Sequence, residues 1–511
     1  MNQPPPLEGY DLFTEDRSLA EAVRREGPPG AEARLSALGR ELGGEPLEWG
    51  RLANEHPPRL RRDDEVEFHP AWHALLELGI EQGIHALPWR GGSHVERAAA
   101  FVLLSEVEAG VGCPLSMTHA AVPALRASPE LALEWEPRLT SYLYEPGLAP
   151  AGEKAGALAG MSLTERQGGS DLRANETIAR PLAEGEAELH GAKWFCSAPM
   201  CDVFLITAQA PAGLSSYLVP RVLPDGSRNG IRLVRLKDKL GNRSNASAEI
   251  ELEGAWGRLV GEEGRGVPTV AEMINHTRLD CALGSAALMR RAVAEATHHA
   301  AHRAAFGALL VDQPLMRNVL ADLCLESEAA TALVLRVARA YDDEGAPFRR
   351  LATAVAKYWT CKIAPGVVGE ALECLGGNGY VEESVLPRLY REVPLNSIWE
   401  GSGNVAALDV LRIVRRQPEA LDAFLAELEP DLRPELAQTE EWDARRLAET
   451  LAVALQATLL VRFAPSEVAE LFVASRVRGE HGRAYGTLPE SAGLAAIVER
   501  HRPLAGAGVA G

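Results

Sequence analysis

The stretch that decides the fold is Ile398-Trp399-Glu400-Gly401-Ser402-Gly403-Asn404, which holds one carboxylate in a glycine-rich turn. The residues after this turn recur with helical period. Gly401 and Gly403 let the backbone approach a ligand closely, and the first turn of a helix presents N–H groups without helical partners. Trp399 gives Glu400 an apolar neighbour that can tune its pKa. The turn therefore suits removal of a proton next to a carbonyl group.

The plainer interpretation of the same turn is structural. A glutamate in the first turn of a helix is stabilised by the helix dipole and needs no ligand. The turn alone does not decide between a catalytic and a structural glutamate, so the choice depends on the rest of the sequence.

Length and composition bound the class of protein. A chain of 511 residues exceeds one ordinary hydrophobic core, so about two to four domains are expected. The apolar runs are too short to cross a bilayer, and the polar, proline-rich start does not resemble a signal peptide. Seven cysteines without a C-x-x-C pair argue against a zinc site or a disulfide framework. These features predict a cytoplasmic protein with no membrane partner, and a net charge of −19 disfavours non-specific attraction to nucleic acid.

The spacing of apolar residues divides the chain into four parts. Residues 1–155 are predicted to form an N-terminal arm and a helical domain, with apolar faces at helical spacing. Residues 156–267 contain short alternating runs between turn signals, which predicts an inserted antiparallel β domain. Residues 268–415 return to long amphipathic stretches, which predicts a helix bundle. Residues 416–511 are predicted to add a C-terminal helical domain, so the fold class is mainly α with an inserted antiparallel β domain.

The clearest periodic stretches predict individual elements. The longest predicted helices are Cys281–Ala305, Gln313–Asp342 and Ala352–Leu375. Strands are predicted around residues 188–190, 203–207, 216–219 and 248–252. His298 and His302 are spaced to share a helix face but have no carboxylate partner, so they are interpreted as a solvated face and no metal is predicted.

The order of helices, β domain, helix bundle and Glu-Gly turn resembles the acyl-CoA dehydrogenase family over residues 60–415. Met161-Ser162-Leu163-Thr164-Glu165-Arg166-Gln167-Gly168-Gly169-Ser170-Asp171 is similar to the family's first flavin signature, where backbone groups and a threonine hydroxyl hold the flavin ring. Lys193-Trp194-Phe195-Cys196-Ser197 resembles the second flavin strand. Phe195 and Ser197 stand where the family often has tryptophan and threonine.

Two further segments resemble parts that reach the FAD of a neighbouring subunit. Arg303-Ala304-Ala305-Phe306-Gly307, followed by Gln313, resembles the segment at the FAD pyrophosphate, where an arginine offers a fork of donors. Leu375-Gly376-Gly377-Asn378-Gly379-Tyr380 resembles the glycine turn whose backbone N–H groups approach the adenylate half.

The resemblance implies a role for each matching residue. Glu400 matches the usual catalytic base, and Thr277 occupies the place where some members carry the base instead. Glu400 would take the α-proton of an acyl-CoA thioester while flavin N5 takes the β-hydride. The implied substrate contacts are Arg278, Ser170 and Trp399. The implied FAD contacts are Met161, Leu163, Thr164, Gly169, Ser170, Phe195, Cys196, Ser197, Arg303, Phe306, Gln313, Gly376, Gly377, Ile398, Trp399, Gly401, Ser402 and Asn404.

Residues 68–73, 236–247 and 396–404 narrow the resemblance to the AidB branch, the adaptive-response flavoproteins. That branch implies an FAD-binding homotetramer with at most weak acyl-CoA dehydrogenase activity, linked to protection of DNA against alkylation through its C-terminal domain.

The composition of residues 416–511 disagrees with this link to DNA. The segment carries ten arginines, no lysine and fifteen acidic residues, which leaves a net charge of −5. A DNA-binding domain should present a basic face. DNA is therefore a disfavoured partner, although Arg476, Arg478 and Arg483 are candidates for a basic cluster.

Three functions stay open at this point. The protein is a dehydrogenase acting on an acyl thioester, a flavoprotein acting at DNA, or a catalytically idle protein that retains FAD. The sequence does not specify the acyl chain length or the electron acceptor.

Overall fold

The structure, a computed structural model, describes residues 2–183, 185–343, 347–436 and 440–504. The chain forms two compact units. The first, called the helical unit, consists of Met1–Leu47, Ser93–Val107 and Arg278–Gly511. The second, called the β-containing unit, consists of Glu48–Gly92 and Glu108–Thr277.

Helices dominate both ends of the chain. In chain order they are α1 (Arg17–Glu26), α2 (Ala31–Leu42), α3 (Pro46–Glu55), α4 (Pro70–Glu81), α5 (His94–Val107), α6 (Gly112–Leu125), α7 (Pro129–Leu139), α8 (Gly266–His302), α9 (Pro314–Asp342), α10 (Pro347–Cys374), α11 (Gly377–Tyr380), α12 (Leu386–Glu392), α13 (Gly403–Arg416), α14 (Pro418–Glu427), α15 (Ala444–Phe463), α16 (Ser466–Phe472) and α17 (Leu494–His501).

Strands are concentrated in the middle of the chain. In chain order they are β1 (Arg59–Leu60), β2 (Val66–Glu67), β3 (Ala159–Ser162), β4 (Ile178–Pro181), β5 (Glu186–Ser197), β6 (Val203–Ala210), β7 (Gly213–Pro220), β8 (Ile231–Leu236), β9 (Ser247–Val260), β10 (Ala304–Ala305) and β11 (Ala308–Leu309).

The helical unit is organised around α9 and α10. Helix α9 contacts α1, α5, α10, α15 and α17, and α10 contacts α13, α14 and α15. Pro314 occupies the first turn of α9, where its missing N–H costs nothing and its fixed φ favours the helix. The predicted helix Gln313–Asp342 therefore differs from the observed α9 by one residue. The described part of residues 416–511 is largely helical and belongs to this same unit.

The β-containing unit is built on a seven-stranded sheet. Strands β6, β4, β5, β9 and β7 pair in a closed ring because β7 bonds to both β9 and β6, while β3 and β8 join at β6 and β9. The strands predicted around residues 188–190, 203–207, 216–219 and 248–252 lie within β5, β6, β7 and β9. The strong alternation of buried and less buried residues along β9 is what the sequence pattern predicted.

The expectation of a wholly antiparallel sheet is wrong in one respect. Strand β6 pairs in parallel with β3 along four residue pairs and with β4 at Ile178 and Gln209. The burial pattern of β6 agrees with parallel pairing, because its first six residues are all buried, whereas buried and exposed residues would alternate in a strand with one solvated face. Alternation predicts which face is buried but says nothing about strand direction.

No helix in the described ranges combines the length and the apolar character that crossing a bilayer requires.

Candidate active site

Glu400 lies in a strained turn at the start of α13. Its φ of +56° places a non-glycine residue in the left-handed region, and Gly401 follows with φ +101°. A non-glycine residue in this region costs on the order of 1–3 kcal/mol, so the conformation persists only where the surrounding structure holds it. Such strain concentrates at functional sites, so the backbone geometry supports the sequence-based choice of Glu400 as a candidate catalytic residue.

Two buried cations hold this turn by its backbone. The Arg278 Nε donates to the Glu400 carbonyl at 3.0 Å. The Lys357 ammonium, from α10, donates to the next carbonyl, that of Gly401. Hydrogen bonds from charged donors are the stronger class, so these contacts help to offset the strain at Glu400.

Asp409 completes the network beneath the turn. Its carboxylate accepts from Arg278 at 2.6 Å and from Arg350 at 2.8 and 3.1 Å. Burial raises the pKa of Asp409, but the hydrogen bonds from Arg350 and the charge of Arg278 outweigh it and hold that pKa below its ordinary value. The predicted substrate contact Arg278 is therefore engaged by the turn and by Asp409 in this structure.

The residues around Glu400 differ in how far they reach solvent. Ile398 is exposed, whereas Trp399 is half-buried and donates its indole N–H to Asn396 at 3.0 Å. Ser402 precedes α13, and Asn404 accepts a hydrogen bond from Arg445 at 2.8 Å. Arg445 comes from the C-terminal segment, a contact that sequence spacing gave no means to predict.

A hairpin carries the predicted pyrophosphate segment. Strands β10 and β11 are joined by Phe306 and Gly307, which both have positive φ, as a two-residue hairpin of type I′ requires. Phe306 is 99% exposed at the tip. The Gln313 side chain donates to Ala305 at 2.8 Å, so this predicted FAD contact braces the hairpin in the isolated chain.

The N-terminal arm reaches both predicted adenylate-side segments. Arg303, at the start of the hairpin, donates to the Asn2 carbonyl. Asn378, next to the glycine pair Gly376-Gly377, donates to the Gln3 side chain at 2.8 Å. Open space lies where a Cβ would stand at either glycine, so a ligand has room to approach the backbone there.

In the β-containing unit, the first predicted flavin segment forms a tight turn after β3. Gly169 packs directly on Thr164, and a Cβ at position 169 would overlap the Thr164 hydroxyl. Met161 and Thr164 are half-buried, Leu163 is buried, and Ser170 is exposed. The glycine thus lets the backbone of this segment lie against the threonine that the resemblance assigns to the flavin.

A buried ion pair joins the two predicted flavin segments. Lys193 donates to Glu165 at 2.6 Å and to the Thr207 carbonyl at 2.8 Å. Burial would raise the pKa of Glu165, but hydrogen bonds from Lys193 and Thr177 bring it down to about 2. In addition, Trp194 N–H donates to the Thr164 carbonyl at 2.8 Å. These contacts fix the spacing of the two segments.

The predicted residues of β5 alternate in exposure. Phe195 is 46% exposed and Ser197 is half-buried, whereas Cys196 between them is buried. Burial raises the pKa of the Cys196 thiol to about 12, so it stays protonated. Any contact that Cys196 makes with a cofactor would therefore come from its backbone.

Lys357 is the functional candidate that the sequence interpretation missed. A signal was present, because Lys357 lies between the apolar residues Ala354–Ala356 and Tyr358-Trp359 of a predicted helix, and lysine is almost never fully buried without a partner. Its contact with Gly401 spans 44 positions, however, so the periodic pattern could not indicate what the lysine binds.

Comparisons with known proteins agree on one family. Three family models match consecutive stretches: the adaptive response protein AidB N-terminal domain over residues 2–146, the acyl-CoA dehydrogenase middle domain over residues 160–255, and the acyl-CoA dehydrogenase C-terminal domain over residues 264–414. The AidB protein of Escherichia coli (strain K12) is 50% identical over 438 residues, which cover 82% of this chain and 81% of that protein.

Two further similarities come from Caenorhabditis elegans. Acyl-CoA dehydrogenase family member 11 is 32% identical over 499 residues, which cover 90% of this chain and 79% of that protein. The crystal structure of ACDH-11 in complex with C11-CoA superimposes with a TM-score of 0.83 at 27% identity, covering 98% of this chain and 92% of that one.

Proposed function

The chain belongs to the acyl-CoA dehydrogenase family, in its AidB branch, and we propose that it is an FAD-binding oxidoreductase acting on an acyl-CoA thioester. The reaction is removal of one hydrogen from each of the α and β carbons of the acyl group. The observation that carries the proposal is the strained, cation-braced turn that presents Glu400 at the start of α13. A family relative bound to C11-CoA supports an acyl-CoA as the class of substrate.

The residues present fit FAD. Gly169 leaves room for the backbone to lie on Thr164, and Phe195 offers an exposed aromatic ring. Arg303 supplies a guanidinium group for the pyrophosphate, and Gly376 and Gly377 leave open space beside the backbone. When bound, FAD supplies the hydride acceptor for the β-carbon.

Glu400 is the proposed general base for the α-proton. Its carboxylate removes the proton as the hydride leaves the β-carbon, so a two-electron oxidation is balanced by one proton and one hydride. Trp399 and Ser170 are the proposed substrate contacts, and Arg278 is proposed to act at the same turn through the Glu400 carbonyl.

The proposed assembly is a homotetramer in the cytoplasm. The proposal of a subunit interface is supported by three large apolar side chains of the helical unit that are each more than four-fifths exposed: Phe306, Leu315 and Tyr380. The proposed domains are the four parts that the spacing of apolar residues predicts: residues 1–155, 156–267, 268–415 and 416–511.

A DNA-associated flavoprotein linked to protection against alkylation is the second candidate, favoured by the match to the AidB N-terminal domain. The charges weigh against it. Among the C-terminal arginines, Arg476 and Arg500 are engaged by buried carboxylates, and Arg462 pairs with Glu429. A catalytically idle protein that retains FAD is the third candidate, and only a test of activity separates it from the first.

Anaerobic reduction of the bound flavin by a panel of acyl-CoA esters tests the proposal. The wild-type protein should be yellow, and at least one ester should bleach it. Glu400→Gln keeps the side-chain shape but removes the base, so FAD should stay bound while reduction slows by about two to four decades.

Glu419→Gln is the matched control, since Glu419 is exposed in the first turn of α14. It should reduce at the wild-type rate. A colourless wild-type protein would refute FAD binding. A Glu400→Gln protein that is reduced as fast as wild type would show that the base lies elsewhere, and an unbleached wild-type flavin across the panel would favour the idle protein.

A further inference from the structure

Lys357 is a lysine in the core of the helical unit. It is 1% exposed on α10, and its ammonium donates to the Gly401 carbonyl. Within the described parts of the chain, it forms no ion pair with a carboxylate. Burying a charged ammonium is costly unless it is paired or hydrogen-bonded, so a lysine placed in this way is expected to serve a specific purpose.

The partner of this lysine is next to the proposed base. Gly401 follows Glu400, and the carbonyl groups of these two residues both accept from buried cations, Arg278 and Lys357. Without these contacts, the positive φ of Glu400 would be free to relax, and the carboxylate would change direction with the backbone.

The two cations approach the turn from different helices. Arg278 lies on α8 and is held by Asp409 on α13, which Arg350 on α10 also binds. Lys357 is about two helical turns along α10 from Arg350. The turn is thus held at two successive carbonyls from α8 and α10, which are themselves joined by a hydrogen bond from the Cys361 thiol to the Cys281 carbonyl.

The charges of Lys357 and Glu400 both act on one buried thiol, that of Cys281. Burial raises the pKa of Cys281, on α8, and the charge of Lys357 lowers it while that of Glu400 raises it. The backbone carbonyl of Cys281 also accepts a hydrogen bond from the Cys361 thiol of α10 at 3.3 Å.

We propose that Lys357 is a positioning residue for Glu400: its hydrogen bond to the Gly401 carbonyl holds the strained turn in the one conformation that aims the carboxylate at the acyl α-carbon. This role rests on the proposed function of Glu400 as the base. It assigns to α10 a part in the chemistry that is exerted through the backbone of the turn.

Three variants of the full-length flavoprotein test the role. Lys357→Met removes the donor but keeps an unbranched side chain of similar size, and Lys357→Arg restores a charged donor. Arg416→Met is the matched control, because it removes one exposed cation from the far end of α13. For each variant, the measurements are the ratio of FAD to protein, amide hydrogen exchange of the peptide 396–405, and flavin reduction at saturating acyl-CoA.

Lys357→Met should keep its FAD, exchange the amides of peptide 396–405 about tenfold faster, and reduce its flavin about 10–100-fold more slowly at saturating acyl-CoA. The acyl-CoA concentration for half-maximal rate should change little, since the proposed role acts through the backbone of the turn. Lys357→Arg should recover part of the rate, and Arg416→Met should match wild type in every measurement.

Unchanged exchange together with unchanged reduction in Lys357→Met would overturn the proposal, as would slower reduction that Lys357→Arg does not improve. If no acyl-CoA reduces even the wild-type flavin, the proposed activity fails, while faster exchange in Lys357→Met still supports the positioning of the turn. Should Lys357→Met not fold, Lys357→Gln, which keeps a neutral donor, replaces it and the same measurements decide.

Discussion

Glu106 is a carboxyl group in the core of the helical unit. It lies on α5, is 2% exposed, and its Oε1 has no hydrogen-bond partner among the described residues. Burial raises its pKa to about 8, with Arg290 and Arg291 lowering it and Asp16 raising it. The side chain is therefore neutral in the folded protein through most of the ordinary pH range.

This raised pKa makes stability depend on pH with a definite sign. In the unfolded chain Glu106 ionises near its ordinary pKa of about 4.3, whereas in the folded protein it keeps its proton up to about 8. The contribution of Glu106 to the free energy of unfolding is complete below its pKa in the unfolded chain and is lost as the pH rises through its pKa in the folded protein, about 8. Between these two pKa values the free energy of unfolding falls by about 1.4 kcal/mol per pH unit.

Glu106→Gln removes this titration while keeping the neutral shape, so its stability relative to wild type should increase as the pH rises. Thermal unfolding at pH 5.5, 7.0 and 8.5 measures the difference. Glu41→Gln, at an exposed position of α2, should keep a constant difference from wild type. A Glu106→Gln melting temperature that shifts equally at all three pH values would contradict the raised pKa.

At the level of single residues, local sequence predicted which group to examine but not how it is held. Glu400 stood out because glycines and an apolar neighbour surround it within seven residues. Its turn is held by a hydrogen bond from Arg278 to the Glu400 carbonyl, 122 positions apart, and by one from Lys357 to the Gly401 carbonyl, 44 positions apart. Such pairings are set by how helices pack, which a periodic pattern does not specify.

At the level of elements, the C-terminal segment is fastened to α9 by buried ion pairs. Arg476 donates to Glu326 at 2.7 Å and also binds Asp322, and all three side chains are at most 10% exposed. Removing one partner of a buried ion pair leaves an uncompensated charge, which typically costs about 3–5 kcal/mol. Arg476 is therefore a structural residue rather than part of a basic surface.

Arg476→Ala should lower the thermal stability of the protein strongly, since Asp322 and Glu326 would both lose their buried partner. Arg478→Ala is the control two residues away. The Arg478 side chain is 62% exposed and its ion pair with Glu480 is solvated. Arg478→Ala should therefore change the free energy of unfolding by no more than about 1 kcal/mol. Equal melting temperatures for the two variants would show that the Arg476 pairs contribute nothing to the fold.

Elements themselves were predicted unevenly. The acyl-CoA dehydrogenase-like fold is confirmed. Helix α9 was predicted to within one residue, whereas α8 begins 15 residues before the predicted Cys281 and α10 begins five residues before the predicted Ala352. The parallel pairing of β3 with β6 was missed, since strand direction depends on the path of the intervening chain. The hairpin at Phe306 was missed because phenylalanine rarely adopts positive φ.

At the level of the whole molecule, the distribution of charge bears on the proposed link to DNA. The chain carries a net charge of −19. In the β-containing unit, four basic residues lie beside carboxylates: Arg228 with Glu65, Arg232 with Glu251, and both Arg235 and Lys237 with Glu249. Paired cations on an acidic protein attract phosphate weakly.

Duplex DNA should therefore bind only weakly, with a Kd no tighter than about 10⁻⁵ M at physiological salt, within the ordinary range of non-specific binding. Any such binding should weaken with salt by a log–log slope near 0.9 per phosphate neutralised, because it would consist of counterion release. Fluorescence anisotropy titrations of a labelled duplex at several salt concentrations measure both quantities.

The variant that tests the C-terminal segment must spare Arg476, because its loss would damage the fold and weaken binding indirectly. Changing the exposed Arg478 and Arg483 together to Ala removes two charges without touching a buried pair. If the segment supplies the contacts, this double variant should bind more weakly than wild type and show a shallower salt slope. Nanomolar binding that is insensitive to salt would contradict the expectation, and tight binding lost in the double variant would favour the DNA-associated function over the metabolic one.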